Sequence, residues 1–230
     1  MVMRKRNSSN KTLSIIIFVV ALILGLGLLV FGVSKIKPDD FHKASVIFVV
    51  DSSASNAKDL PVQIDTLRQL CSMLDPEDHV KILRVSEKSY IIYEGSPQST
   101  TEIRKALKEF TKIDGDEYGT AYGLAIKKAF NHSLTLFKDG YNPAVVVMGD
   151  LENEGKLENQ IDWNTFPTDV EDMKKQTDDK FAMMFLYAAP DKLDYVKEKL
   201  TPVLGEQKLI IGNKAQAKKV LNKFLPAIGR

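Results

Sequence analysis

The stretch Val46-Ile47-Phe48-Val49-Val50-Asp51-Ser52-Ser53-Ala54-Ser55 decides the fold. Its first half is an unbroken apolar run of β-branched and aromatic residues, which predicts a strand buried on both faces in the centre of a parallel sheet. The second half turns polar at once, with a carboxylate and two hydroxyls alternating at Asp51, Ser53 and Ser55. Small oxygen donors on one turn are suited to a hard divalent cation such as Mg²⁺.

Apolar runs and helical patterns alternate along the rest of the chain. The predicted strands are Val46–Val50, Val80–Val85, Tyr90–Tyr93, Ala144–Met148, Phe181–Tyr187 and Leu209–Ile211. The predicted helices are Leu60–Leu74, Ile103–Ile113, Ala121–Phe137, Val170–Thr177, Leu193–Leu204 and Ala215–Leu225. This alternation predicts a doubly wound α/β domain with a mostly parallel sheet. Only four residues separate Val85 from Tyr90, too few for a crossover, so one antiparallel edge strand is expected.

Two more oxygen donors belong to the same predicted edge of the sheet. Thr120 opens a helix, and Asp150 directly follows the apolar strand Ala144–Met148. Open α/β sheets bind ligands beyond the carboxyl ends of their strands. We therefore expect one site built from five donors: Asp51, Ser53, Ser55, Thr120 and Asp150.

These motifs resemble the von Willebrand factor A domain family and its metal ion-dependent adhesion site (MIDAS). The resemblance rests on Asp51-x-Ser53-x-Ser55 after the first strand, on Gly119-Thr120-Ala121-Tyr122-Gly123 at a helix start, and on Gly149-Asp150 after a later strand. It extends over roughly residues 44–228. The chain departs from the family at Asp150-Leu151, where Asp-Gly is often found, and at Tyr118, where a second glycine is common. Neither departure removes an oxygen donor.

The resemblance implies a Mg²⁺ or Mn²⁺ site in which the serines, and sometimes the threonine, bind the metal directly. Some carboxylate contacts in the family run through water. A metal held mainly by neutral hydroxyls stays electrophilic and accepts an acidic side chain from a protein partner. The resemblance therefore implies a non-enzymatic module for protein binding, in adhesion or assembly.

Other functions for these residues remain open from the sequence alone. Serine and aspartate after a strand often only cap the next helix, and the domain could be a structural subunit. A phosphotransferase or hydrolase using Asp51 is the enzymatic alternative. However, the haloacid dehalogenase-like motif needs a second aspartate where Ser53 stands, and the chain has neither a Gly-x-Ser-x-Gly elbow nor a phosphate-binding loop.

The N-terminal part of the sequence predicts a single-pass membrane anchor. Leu13–Val33 carries no charge and is long enough to cross the hydrocarbon core, which needs about 20 residues. A cleavable signal peptide is the alternative, although its apolar core is usually shorter. Basic residues in segment 1–12 favour a cytoplasmic N-terminus. The predicted order is a basic tail (1–12), a membrane helix (13–33), a linker (34–44) and an extracytoplasmic domain (45–230) at the cell membrane.

Bulk composition limits the partners, and one long loop could select among them. The formal net charge is only +2, which does not favour nucleic acid. The single cysteine, Cys71, excludes an internal disulfide. The connection Leu151–Pro167 should border the metal site. Two of its aromatic residues, Trp163 and Phe166, are candidate anchors for a partner. The alternative is that both aromatic residues pack the loop onto the domain.

Overall fold

The structure is a computed structural model that describes residues 43–111, 119–152 and 156–230. Within these residues lies one six-stranded sheet. Its strands are β1 Lys43–Asp51, β2 His79–Val85, β3 Ser89–Gly95, β4 Tyr141–Met148, β5 Ala182–Leu186 and β6 Leu209–Gly212. The strand order is β3-β2-β1-β4-β5-β6, and every pair is parallel except β2–β3. The predicted α/β fold with one antiparallel edge strand is confirmed.

Helices cover both faces of the sheet. The α-helices are α1 Leu60–Ser72, α2 Thr100–Leu107, α3 Tyr122–Lys138, α4 Phe166–Gln176, α5 Pro190–Leu204, α6 Ala217–Val220 and α7 Phe224–Ala227. In β1, Val46, Phe48 and Val50 pack with α1, α2 and the C-terminal helices, whereas Ile47 and Val49 pack with α3, α4 and α5. This burial on both faces is why β1 is an uninterrupted apolar run.

Helices α4 and α5 begin earlier than predicted, at Phe166 and Pro190, and two further predicted helices differ more from those in the structure. The helix predicted at Ile103–Ile113 ends as an α-helix at Leu107 and continues as a 3-10 turn, Lys108–Thr111, beyond which 112–118 lie outside the described residues. The predicted continuous helix Ala215–Leu225 is wrong. Here α6 and α7 are separated by a 3-10 turn, Leu221–Lys223. Pro226 lacks the N–H that a continuous helix would need at this point, so the break has a local cause.

The antiparallel edge strand β3 is irregular. Ile82 pairs with Tyr93 whereas Leu83 pairs with Ile91, which leaves Ile92 as an extra residue, as in a β-bulge. On this strand Tyr90 and Ile91 are exposed. The edge therefore carries apolar side chains on a backbone that bends out of regular pairing.

The predicted N-terminal segments lie mostly outside the described residues. This applies to the basic tail 1–12, to the membrane span Leu13–Val33 and to the linker up to residue 42. Strand β1 begins at Lys43, two residues inside the predicted linker. Among the residues that the structure does describe, no helix is both long and apolar enough to cross a membrane.

Candidate metal centre

The loops that follow β1 and β4 meet at the carboxyl edge of the sheet, because these two strands are direct neighbours. The hydroxyl oxygens of Ser53 and Ser55 lie 3.0 Å apart. The hydroxyl of Ser55 donates to Oδ2 of Asp150 over 3.5 Å. Two hydroxyls and one carboxylate from loops almost a hundred residues apart in sequence therefore share one small volume.

Thr120 reaches this edge on a third segment. It is buried and lies two residues before Tyr122, whose hydroxyl contacts the carboxylate of Asp51. The N–H of Ala121 donates to the carbonyl of Ser86 over 2.7 Å, which fixes the segment beyond the end of β2. No hydrogen bond within the described part of the chain joins Thr120 to the other four predicted donors. Only the contacts of its neighbours Ala121 and Tyr122 bring it to this edge.

Asp51 is the most deeply buried of the predicted donors, with 0% of its surface exposed. The N–H of Ser53 donates to its Oδ1 and the hydroxyl of Tyr122 donates to its Oδ2, each over 2.8 Å. Burial raises the pKa of Asp51 to about 6, although these hydrogen bonds oppose the shift. The charge of Asp150 adds to the rise. An ionised Asp51 is therefore costly here unless a positive charge lies nearby.

Asp150 shares this electrostatic environment. Its pKa is also raised, first by burial and further by the charge of Glu152. Its Oδ1 accepts a hydrogen bond from the N–H of Glu152 over 2.9 Å, which fixes the carboxylate at the start of the loop. Because the charge of Asp150 also disfavours ionisation of Asp51, a cation beside the two carboxylates would offset this cost.

The turn at Asp150 adopts an unusual backbone. Gly149 has φ +150°, and a Cβ at this position would lie 2.0 Å from the hydroxyl oxygen of Tyr122 and 2.5 Å from Cβ of Asp51. Leu151 has φ +63°, a conformation that glycine adopts far more easily. Its side chain is only 1% exposed, so core packing offsets the backbone strain. This explains how leucine occupies the position where the family often has glycine.

A buried polar network supports the loop after β1. The carboxamide nitrogen of Asn56 donates to the backbone carbonyl of Asp51 over 2.7 Å, and the carboxamides of Asn56 and Gln63 bond to each other in both directions. The hydroxyl of Ser52 donates to the carbonyl of Val85. These contacts tie the loop to α1 and to the end of β2.

The sequence analysis missed Tyr122, Asn56 and Gln63. Tyr122 belongs to the quoted Gly119–Gly123 motif, but its contact with Asp51 joins residues 71 apart in sequence. Asn56 follows Ser55 directly and resembles an ordinary loop residue. No local sequence pattern predicts the contacts of these residues, because the contacts form only when segments distant in sequence fold together.

The predicted donor set fits a hard cation. It offers only oxygen, from two serines, one threonine and two aspartates, which suits Mg²⁺ or Mn²⁺. In the described ranges there is no group of three or more His, Cys, Asp or Glu side chains arranged to hold a metal. Hydroxyls supply three of the five predicted donors, at Ser53, Ser55 and Thr120.

The loop after β4 docks against the first turn of α3. A Cβ on Gly123 would lie only 2.0 Å from the carbonyl oxygen of Gln160, so the loop backbone sits directly on this glycine. The short 3-10 turn Leu157–Asn159 precedes the contact. Leu157 is 86% exposed, which is unusual for leucine, and it lies on the loop that follows Asp150. The sequence analysis did not single it out.

The two predicted aromatic anchors differ in accessibility. Phe166 is only 5% exposed and begins α4 inside the core. Trp163 is half-buried and packs edge-on against Phe166 and against Tyr195 of α5, with ring centroids 5.7 Å and 5.3 Å apart. An accessible anchoring surface on this loop can therefore come from Trp163 or from Leu157, but hardly from Phe166.

A comparison with protein families gives one match. Residues 45–180 match the model of the von Willebrand factor type A domain, which is more than half of the chain. A search of curated proteins finds no match.

Solved structures share the fold at low sequence identity. Proximal thread matrix protein 1 from the mussel byssus has a TM-score of 0.55 at 12% identity, over 83% of this chain and 47% of its own. BatB from Bacteroides thetaiotaomicron has a TM-score of 0.55 at 14% identity, over 81% and 100%. The pilus adhesin SpaC from Lactobacillus rhamnosus GG has a TM-score of 0.56 at 12% identity, over 82% and 30%.

This chain thus spans about half of the mussel protein and less than a third of the pilus adhesin, but the full length of the BatB structure. A further structure of the mussel protein contains a zinc-occupied MIDAS motif. At identities this low, the structural similarity establishes the fold alone.

Proposed function

Because this chain belongs to the von Willebrand factor type A domain family, we propose that it is a non-enzymatic protein-binding module that carries a MIDAS-type metal centre. Ser53, Ser55 and Thr120 would hold Mg²⁺ or Mn²⁺ directly, with Asp51 and Asp150 in support. The bound ion would offer an open coordination position to an acidic side chain of a protein partner. The domain would act in adhesion or assembly at a membrane surface.

One observation carries this proposal: the contact chain from Ser53 through Ser55 to Asp150. It gathers two hydroxyls and a carboxylate beside the buried carboxylate of Asp51. A set of residues that only capped the next helix would not need to bring the loops after β1 and β4 together. The zinc-occupied motif of the mussel protein supports a divalent metal for this family, though not its identity here.

Calorimetric titration of the purified chain with Mg²⁺ and Mn²⁺ tests the metal centre. We expect saturable binding that is lost when Asp51→Ala and Ser53→Ala are combined. Ser133→Ala is a matched control, because Ser133 is also a buried serine but lies about 16 Å further along α3 than Tyr122 at 1.5 Å per residue. Binding that survives in the double variant would refute the assignment.

The enzymatic alternative places a nucleophile at Asp51. Both oxygens of this carboxylate already accept hydrogen bonds, from Ser53 and Tyr122, and the side chain is buried. General acid–base catalysis also needs a proton donor or acceptor within hydrogen-bond reach of the reacting group. Incubation with Mg²⁺ and a generic phosphate ester separates the two functions, since turnover abolished by Asp51→Asn would establish the enzyme.

We further propose that Leu13–Val33 anchors the domain in the cell membrane as a single span, with a cytoplasmic N-terminus and the binding domain outside. The uncharged length of this run and the basic residues before it support the proposal. Protease added to intact cells or spheroplasts should degrade the domain. Full protection would refute the orientation, and a mature N-terminus after Val33 would refute the anchor.

Selectivity for the partner would come from the loop around the metal, because one coordination bond discriminates little among acidic side chains. We expect Trp163→Ala to weaken partner binding about thirtyfold, as removal of an aromatic hot spot of about 2 kcal/mol does. Affinity capture from membranes, with Mg²⁺ or with chelator, would provide the partner for this measurement. A lower melting temperature with normal binding would identify Trp163 as a packing residue, as its contacts with Phe166 and Tyr195 would allow.

Leu157→Ser is the companion variant at the other accessible position of the loop. Its side chain is almost fully exposed, so its loss should leave the melting temperature unchanged. If Leu157 contacts the partner, affinity falls while Mg²⁺ binding stays the same. The pair of variants therefore locates the contact within the loop.

A further inference from the structure

We propose that Tyr122 is a positioning residue that couples the metal centre to the partner-facing loop after β4. The inference rests on the proposed function, since it concerns how the same site is held and read out. Tyr122 is not one of the predicted metal donors. Its role would be to orient the carboxylate of Asp51. It would also transmit a change in the position of that carboxylate on metal binding to the loop backbone.

The hydroxyl of Tyr122 joins two loops through a single oxygen atom. It donates its proton to Oδ2 of Asp51 over 2.8 Å, and it accepts a hydrogen bond from the N–H of Leu151 over 3.3 Å. The ring is fully buried at the start of α3. The end of β1 and the end of β4 are thus connected through one buried side chain.

The surrounding backbone is shaped to admit this side chain. Any Cβ on Gly149 would collide with the hydroxyl of Tyr122 and with Asp51, so the strand end passes against both groups. Leu151, two residues after Gly149, has a positive φ, and its N–H donates to the same hydroxyl. Leu151 is thus a strained residue whose N–H is bonded to the site. A small movement of the Tyr122 hydroxyl would therefore move the backbone at the start of the loop.

The same contact fixes the orientation of Asp51. Its Oδ1 is held by the N–H of Ser53 and its Oδ2 by Tyr122, so the carboxylate cannot rotate freely away from the serine hydroxyls. Without the tyrosine hydroxyl, Asp51 would lose the hydrogen bond that holds its Oδ2. The carboxylate would then be less well oriented toward the metal site.

A purely structural role for Tyr122 makes a different prediction. Buried tyrosine hydroxyls usually find a partner simply to avoid being unsatisfied. In that case Tyr122→Phe would lower stability but leave the affinity for metal unchanged. Positioning instead predicts that metal affinity falls, and that the loop responds to metal only when the hydroxyl is present.

The first test is calorimetric titration of the full chain, purified in detergent, with Mg²⁺ as the probe. We expect Tyr122→Phe to weaken binding about tenfold, the effect of one hydrogen bond to a charged group. The matched control is Tyr187→Phe. Tyr187 is also buried, and its hydroxyl bonds to Thr66 and to the carbonyl of Val62. Its loss should lower the melting temperature without changing the affinity.

The second test needs no folded variant. Hydrogen exchange in a peptide that contains Leu151 should slow when Mg²⁺ is added to the wild-type chain, because the N–H is held through Tyr122 and Asp51. Unchanged exchange despite saturating Mg²⁺ would overturn the coupling. An unchanged or tighter Mg²⁺ affinity in Tyr122→Phe would overturn the positioning role alone, whereas a wild-type chain that binds no Mg²⁺ would overturn the proposed function as well.

Discussion

Asp51 is a buried carboxyl group, and its burial determines how the charge at the site depends on pH. The side chain has no exposed surface, and its pKa is raised to about 6, mainly by burial. A raised carboxyl pKa contributes stability that is present below the unfolded-state value of 3.8 and is lost as the pH rises through about 6. At neutral pH, the metal-free domain therefore retains a charge that weakens its fold.

Replacement of this charge should make the domain more stable while it loses its ligand. We expect Asp51→Asn to raise the free energy of unfolding at pH 8 in chelator, by roughly 1 to 3 kcal/mol at 1.36 kcal/mol per pKa unit. Mg²⁺ should then stabilise the wild type only. Urea unfolding at pH 8 and pH 4 checks both points, because the gain should disappear at the lower pH. An equal gain at both values would assign it to packing instead of charge.

The proximity of Asp51, Ser53, Ser55 and Asp150 could be predicted from sequence, whereas the residues that hold them in place could not. Asp51, Ser53 and Ser55 alternate directly after a buried strand, and Asp150 follows another, so strand ends alone bring them to one edge. Tyr122 contacts Asp51 only because Gly149 leaves room for its hydroxyl. Such a contact depends on how two distant loops meet and on the glycine at position 149, and no local sequence pattern predicts either feature.

At the scale of elements, the loop after β4 is positioned by glycines more than by its own sequence. Gly123 lets the carbonyl of Gln160 approach the first turn of α3, and Gly149 lets the strand end pass Tyr122. The strands themselves were predictable because burial on both faces leaves long apolar runs. The C-terminal helices were not, because Pro226 cannot donate a hydrogen bond to the carbonyl of Asn222, in a region whose apolar spacing still predicts one helix.

Gly123→Ala should release this loop. The added methyl group would meet backbone at 2.0 Å, and overpacking of this kind costs about 1 to 3 kcal/mol, partly offset by the better helix propensity of alanine. We expect limited proteolysis within Leu151–Pro167 to become several times faster, because the backbone at Gln160 can no longer lie directly on residue 123.

Gly212→Ala serves as the matched control for this variant. An added Cβ there would lie 2.9 Å from a side-chain methyl of Val220, away from the loop. It should alter stability without altering the cleavage of Leu151–Pro167. Equal cleavage of the wild type and Gly123→Ala would show that the loop is held by other contacts.

At the scale of the whole molecule, two half-buried histidines should make stability depend on pH. His79 of β2 has a lowered pKa, first because of burial, with Glu94 opposing and Lys81 adding to the shift. His132 of α3 has a lowered pKa, also first because of burial, and its Nδ1 lies 3.0 Å from Nζ of Lys81. Both rings are therefore held neutral beside a lysine that links β2 to α3.

Acidification should weaken the fold through these two groups. A histidine whose folded pKa is lowered binds fewer protons in the folded than in the unfolded state, so stability falls as the pH drops below about 6.5. We expect the urea midpoint of the wild type to fall more between pH 7.5 and pH 5.5 than that of a His79→Gln, His132→Gln double variant. Both proteins retain Asp51, whose opposite pH dependence therefore cancels in the comparison. Parallel midpoints would exclude the histidines.

The irregular pairing of β3 has a consequence for self-association. Fibre growth by stacking sheets edge to edge requires regular, matching edges on successive molecules. The extra residue Ile92 breaks the spacing of backbone groups along this edge, just where Tyr90 and Ile91 are exposed. The bulge therefore opposes edge-to-edge pairing at Tyr90 and Ile91, and we expect a variant that lacks Ile92 to aggregate more readily, which light scattering would measure.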